Sequence, residues 1–158
     1  MEILDSGKRR EFESGAVRDC AENRGRCDLL PLDVVNSLTG DITFAYIDDY
    51  IRRGETLSLL KAICKFIDTH YDCRVTAILD LAKHYEEGAK KYADRNWEKG
   101  IPLHCYIDSG VRHYLKFLRG DEDEPHGKAF LWNMCGAIWT HEHLPELIDL
   151  PFKELSYE

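Results

Sequence analysis

An all-α helical bundle is the fold class this sequence predicts, and three observations predict it. Ile42 to Arg53, Thr56 to His70, Arg74 to Ala93 and Leu103 to Arg119 repeat apolar residues at the i, i+3, i+4, i+7 spacing that gives a helix one buried stripe. No stretch alternates apolar and polar residues over a useful strand length. The breaks fall at Gly54, Gly100, Pro102 and the acidic run Gly120 to Pro125, residue types that stop or start helices.

Residues 1–31 are charged and punctuated by glycine, with Ser14-Gly15-Ala16-Val17-Arg18-Asp19 and Arg24-Gly25-Arg26-Cys27-Asp28-Leu29-Leu30-Pro31 as two short phrases. They read either as an extended arm whose Arg18, Arg24 and Arg26 close over an anionic ligand, or as a disordered basic tail. Residues 32–73 hold a short helical turn and two helices, one with Phe44, Ile47, Tyr50 and Ile51 on its stripe, the other with Leu59, Leu60, Ile63, Phe66 and Ile67. No chemical groups cluster there, which assigns the segment to packing or subunit contact.

The helix expected from Arg74 to Ala93 sets Val75, Ile78, Leu79, Ala82, Tyr85, Ala89 and Tyr92 on its buried stripe. Its polar side carries His84, Glu86, Glu87, Lys90 and Lys91, and the exit from Asp94 to Gly100 is too polar and turn-prone to continue it. Adjacent carboxylates near a histidine, followed by Lys-Lys and Arg-Asn-Trp, fit a site for a hard divalent cation and the phosphates it bridges. The plainer alternative is a solvated face, since Glu86–Lys90 and Glu87–Lys91 are both i, i+4 pairs. Trp97 either stacks on a purine or caps the core.

Pro102 opens a helix over Leu103 to Arg119 that buries Leu103, Tyr106, Ile107, Gly110, Val111, Tyr114, Leu115 and Leu118. Asp108, Arg112, His113, Lys116 and Arg119 lie opposite, with Asp108 and Arg112 either a surface ion pair or ligand-facing. The acidic loop before Pro125 either favours the positive end of the next helix or holds metal. That helix runs to about Glu142, buries Leu131, Met134, Cys135 and Ile138, and puts His126 and Asn133 on one face. A buried Asn133 requires partners. The tail from Leu144 to Glu158 is peripheral.

A chain of 158 residues, 44% apolar, suffices for one domain with a good core. A net charge of −8 works against binding to nucleic acid, which needs a basic face. The six cysteines contain no C-x-x-C pair and read as reduced thiols. With no run near ~18 apolar residues and no apolar signal core, a cytoplasmic protein without a membrane partner is expected.

The phrases HYEEGAKKYADRNWEKGIPL and DSGVRHYLKFLRGDEDEPHGKAFLWN, with SGAVRD and GRCDLLP upstream, closely resemble a known family. They are similar to the phage and bacterial dATP/dGTP diphosphohydrolase N-terminal-domain family, which includes MazZ-like enzymes and belongs with the MazG-like all-α nucleotide pyrophosphohydrolases. The likeness spans residues 14–31 and 80–140, with residues 32–73 looking like a helical insertion and 74–142 like the catalytic helices of a single domain. The resemblance implies cleavage of dGTP or dATP between the α and β phosphates, dependent on Mg2+ or Mn2+. It also implies a homo-oligomer, dimer or tetramer, in the host cytoplasm if phage-encoded. Catalytic roles fall to Glu86, Glu87, Lys91, Arg112 and His113, and metal ligation to Glu86, Glu87, Asp123 and His126. Substrate contacts fall to Arg18, Arg26, Lys90, Tyr92, Arg95, Asn96, Trp97, Lys116 and Asn133.

The sequence departs from the MazG-like pattern of E-E-x-x-E followed by E-x-x-D. Lys90 stands where the third glutamate belongs, and His126 and Ala129 occupy the later register. Asp123, Glu124 or His126 is then expected to complete the metal shell. The incomplete pattern also supports a rival, a catalytically silent protein that binds or sequesters a nucleotide, and a helical assembly protein is a further alternative.

Overall fold

The computed structural model describes Leu4 and residues 7–152. Among them are six α-helices: α1 Leu32–Thr39, α2 Thr43–Arg53, α3 Thr56–His70, α4 Arg74–Lys91, α5 Leu103–Arg119 and α6 His126–His143. The fold is all-α, as expected. Gly54 and Gly120 close α2 and α5 in the left-handed conformation, which lets the following chain turn away without a Cβ clash.

The centre of the molecule is the packing of α5 on α6. Gly136 permits it, because a Cβ at that position would fall on the Tyr106 ring. The α2–α3 pair covers this centre with aromatic contacts: Phe66 meets Phe117 at 5.0 Å and Phe130 at 5.3 Å, and Phe44 meets Tyr114 at 5.3 Å between ring centroids. Residues 32–73 therefore contribute core, with Phe44, Ile47, Tyr50 and Leu59 fully buried. No helix of the described residues is long and apolar enough to cross a membrane.

Three expectations are corrected. The apolar stripe of α4 does not face inward at its start: Val75, Ile78 and Leu79 are 65%, 59% and 65% exposed. Ala77, Leu81, His84 and Tyr85 form the inner line instead, because the C-terminal half of α4 walls a cleft where small and amphipathic groups are needed. The helix also ends at Lys91, two residues before Ala93, and Arg95 turns the chain in the left-handed region at φ 55, which a non-glycine residue holds only where its surroundings enforce it.

The second correction concerns Asp108 and Arg112, which are buried and not on an open polar face. The third concerns the arm. It contains a short antiparallel hairpin, β1 Arg9–Glu11 with β2 Val17–Asp19, Arg10 opposite Arg18, and Ala16 at its turn is fully buried. Three-residue strands are too short for alternation to register in the sequence.

Candidate functional site

The hairpin, the end of α4, the 3-10 turn Asn96–Lys99, α5 and α6 enclose a cleft of about 1070 Å³, part of it open to solvent. Its roof is the arm, and hydrogen bonds fix the arm in place. Asn96 is 6% exposed; its Oδ1 accepts from the Val17 N–H at 2.8 Å and its Nδ2 donates to the Val17 carbonyl at 2.7 Å. Tyr92 Oη accepts from the Asp19 N–H at 3.1 Å, Lys91 Nζ meets the Asp19 carboxylate at 2.6 Å, and the Ser14 hydroxyl donates to the Gly100 carbonyl. From α5, Asp108 Oδ1 accepts from the Cys27 N–H at 2.7 Å, and Arg112 Nη2 donates both to Asp108 and to the Gly25 carbonyl, each at 2.6 Å.

Four residues expected to serve the nucleotide or its chemistry, Lys91, Tyr92, Asn96 and Arg112, are thus tied to the arm. Arg95 pairs with Glu98 at 2.6 Å. Arg26 forks onto Asp28 at 2.9 and 2.7 Å and lies outside the cleft.

Arg18 is held differently. Its Nη2 donates to Asn133 Oδ1 at 3.2 Å, and its guanidinium lies over the Trp132 and Tyr106 rings at 5.6 and 5.7 Å. Its Nη1 is buried and meets no acceptor among the described residues. The Asn133 amide is kept in place from its other end, where Nδ2 donates to the Ala129 carbonyl at 2.8 Å. Arg24 and Lys116 also line the cleft. Trp97 is half-buried and meets Tyr85 and Trp139 edge-on, at 5.8 and 4.9 Å.

Residues 65–149 match the family described as dATP/dGTP diphosphohydrolase, N-terminal. The chain belongs to that family. The match opens inside α3 and takes in α4, α5 and α6, three walls of the cleft, while the hairpin lies outside it. Neither curated proteins nor solved structures gave a match.

A diphosphohydrolase-family chain carries the expectation of a divalent metal, and the four expected ligands do not converge among the described residues. The Glu86 side chain is 68% exposed, 4.0 Å from Lys90, and Glu87 pairs with the same ammonium at 3.1 Å. Among the described residues neither joins a group able to hold an ion. Two such groups exist among the described residues, His113–Glu124–His126 and Asp121–Asp123–His126, each with ligand atoms within 4.8 Å of one another. A shell built on Glu86 and Glu87 together with Asp123 and His126 does not fit this arrangement.

The histidine pair sits at the inner end of that cluster. His113 Nδ1 and His126 Nδ1 are 2.9 Å apart, and His126 Nε2 is 2.7 Å from Asp123 Oδ1. Burial, His126 and the nearby Arg18 and Lys116 cations bring the His113 pKa down to about 3. Burial and Lys128 likewise lower His84 to about 4, and the hydrogen bond from His126 holds Asp123 below the usual carboxylate range.

Asp19, Tyr85 and Trp132 line the cleft without having been given a role from sequence. Trp132 adjoins Asn133, which was a usable signal. Tyr85 reads as core by its spacing, and nothing local marks Asp19.

Proposed function

We propose that the cleft binds a purine deoxynucleoside triphosphate, dGTP or dATP, and hydrolyses it between the α and β phosphates to a monophosphate and pyrophosphate. The observation that carries this reading is Arg18, whose guanidinium covers an aromatic floor while Nη1 stays buried and unpaired among the described residues. A buried donor without a partner costs about 1–3 kcal/mol, and a phosphate oxygen would relieve that through a charge-assisted bond. Arg24 and Lys116 extend the positive surface, and Trp132 and Tyr85 supply flat faces for a base.

In the reaction, a water oxygen bonds to the α-phosphorus while the bond from that phosphorus to the α–β bridging oxygen breaks. The water protons pass to solvent and pyrophosphate leaves with the bridging oxygen. The protein's own part is electrostatic: Arg18, Arg24 and Lys116 offset the charge that builds on the leaving group. A homo-oligomer belongs to the same proposal, supported by the exposed Val75, Ile78 and Leu79 stripe of α4.

Hydrolysis of dGTP and dATP in ¹⁸O-water with a divalent cation, followed by mass spectrometry, tests the reaction. The label is expected in the monophosphate, with unlabelled pyrophosphate. Label in pyrophosphate, or release of terminal phosphate, refutes it. A second reading, capture without turnover, is favoured by the outward Glu86 and Glu87 and by the pairing of Lys91 with Asp19. Under that reading the bound triphosphate is recovered unchanged.

A further inference from the structure

The phosphate reading leaves the His113–His126 pair unused. His126 is 2% exposed, deep for a histidine, and its two ring nitrogens meet different groups. An ionised Asp123 can only accept, so His126 Nε2 donates to it and His126 Nδ1 is left facing His113 Nδ1 at 2.9 Å. A Glu124 carboxylate oxygen lies within 4.8 Å of ligand atoms on both rings. Two imidazole nitrogens and a carboxylate, with an outer carboxylate fixing one ring's tautomer, are the parts that turn histidines toward a metal.

We propose that His113, His126 and Glu124 bind a divalent transition cation of the zinc and cobalt class, with Asp123 as the positioning partner of His126. The assignment concerns the metal alone and holds whether or not the chain hydrolyses a nucleotide. Ligand chemistry sets the class. Magnesium prefers an octahedral shell of oxygens, whereas zinc and cobalt accept imidazole readily. Glu124 is the one anion of the set, beside two imidazoles. Such a site offers little negative charge and favours an ion that bonds to nitrogen lone pairs.

The neighbouring group Asp121–Asp123–His126 also lies within 4.8 Å. Arg119 already occupies it, forking onto both Asp121 oxygens at 2.7 and 2.5 Å. Glu124 by contrast accepts a long 3.4 Å hydrogen bond from the Leu4 N–H.

The test is a Co2+ titration of the full chain, stripped of metal by a chelator and followed by visible absorption. Ligand-field bands are expected to saturate at a single equivalent, to vanish on adding Zn2+, and to persist in a large excess of Mg2+. Glu124→Gln, on the loop before α6, is expected to abolish the bands while circular dichroism stays unchanged. Asp123→Asn should weaken Co2+ binding by about 10–100-fold, as loss of an outer partner does, and Asp121→Asn should leave it unaltered. No bands at millimolar Co2+, displacement by Mg2+, or sensitivity to Asp121→Asn in place of Glu124→Gln overturns the assignment. A chain that fails this titration yet releases pyrophosphate from dGTP sinks the metal assignment alone.

Discussion

Replacing Asn96 with Asp exchanges one amide nitrogen for oxygen at nearly constant shape and strikes the tie between the cleft and its roof. The bond from the Val17 N–H to Oδ1, 2.8 Å, survives. The bond from Nδ2 to the Val17 carbonyl, 2.7 Å, becomes two oxygens face to face at a position only 6% exposed. Losing a hydrogen bond while its acceptor stays buried costs about 1–3 kcal/mol, and a partly desolvated carboxylate brings the total to about 2–4 kcal/mol. The helices keep their own contacts, so the loss falls on the closed hairpin and shifts its closed-to-open ratio about 30- to 900-fold. Hydrogen exchange reads this directly: the Val17 and Asp19 amides are expected to exchange faster by that factor, with amides of α5 and α6 unchanged. Unchanged Val17 protection together with an altered base preference would refute the reasoning and return Asn96 to the nucleotide.

Arg18→Ala is expected to raise KM for dGTP about 10- to 150-fold, the worth of one charge-assisted bond, with stability altered by less than about 1 kcal/mol; a change below threefold counts against the phosphate role. Trp97→Ala removes two edge-on contacts from a half-buried ring and should cost about 2–4 kcal/mol by urea unfolding, whereas unchanged stability with a raised KM would make the ring a stacking platform. Burial opposes ionisation of Asp41, but hydrogen bonds from Tyr114, the Thr43 N–H and Lys65 outweigh it and lower its pKa from 3.8 to about 2. The folded value lies below the unfolded one, so this contribution to stability is complete above about pH 4 and is lost as pH falls toward the folded value; acid unfolding of Asp41→Asn should be flatter over that window. Light scattering at micromolar concentration is expected to give at least a dimer mass, and Ile78→Lys, which charges the exposed α4 stripe, to lower it.

The helices are legible because their signals are local. α3 and α5 begin and end at the residues their patterns indicate, and α2 departs by one, with Gly54 and Gly120 as visible stops. α4 is less legible because its apolar spacing is real but faces outward at the N-terminal end, and spacing alone does not tell a core from a subunit contact. The candidate site is legible as a set of residue types and not as a set of roles. Asn133, Arg18 and Lys116 line the cleft, whereas Glu86 and Glu87 lie beside Lys90, Glu86 at the i, i+4 spacing of the plainer alternative but Glu87 at i, i+3, because Lys91 turns to Asp19 instead.

The reason lies in the arm. Arg18 meets Asn133 across 115 positions of sequence, and Asp108 meets Cys27 across 81, separations at which no periodic pattern carries information. The arm brings its own unmet backbone groups, the Val17 N–H and carbonyl, the Asp19 N–H, the Cys27 N–H and the Gly25 carbonyl, and a buried backbone group must be paired. Asn96, Tyr92, Asp108 and Arg112 pair them, so these residues are used for closure before any ligand arrives. The same closure sets Arg18 over Trp132 and leaves Nη1 without an acceptor among the described residues. It also sets the Asp19 carboxylate on Lys91, where an incoming phosphate would have to compete with it. Nucleotide affinity and arm closure are therefore linked through Arg18 and opposed through Asp19, so Asp19→Asn should tighten nucleotide binding and Asn96→Asp should weaken it, although neither residue needs to touch the ligand.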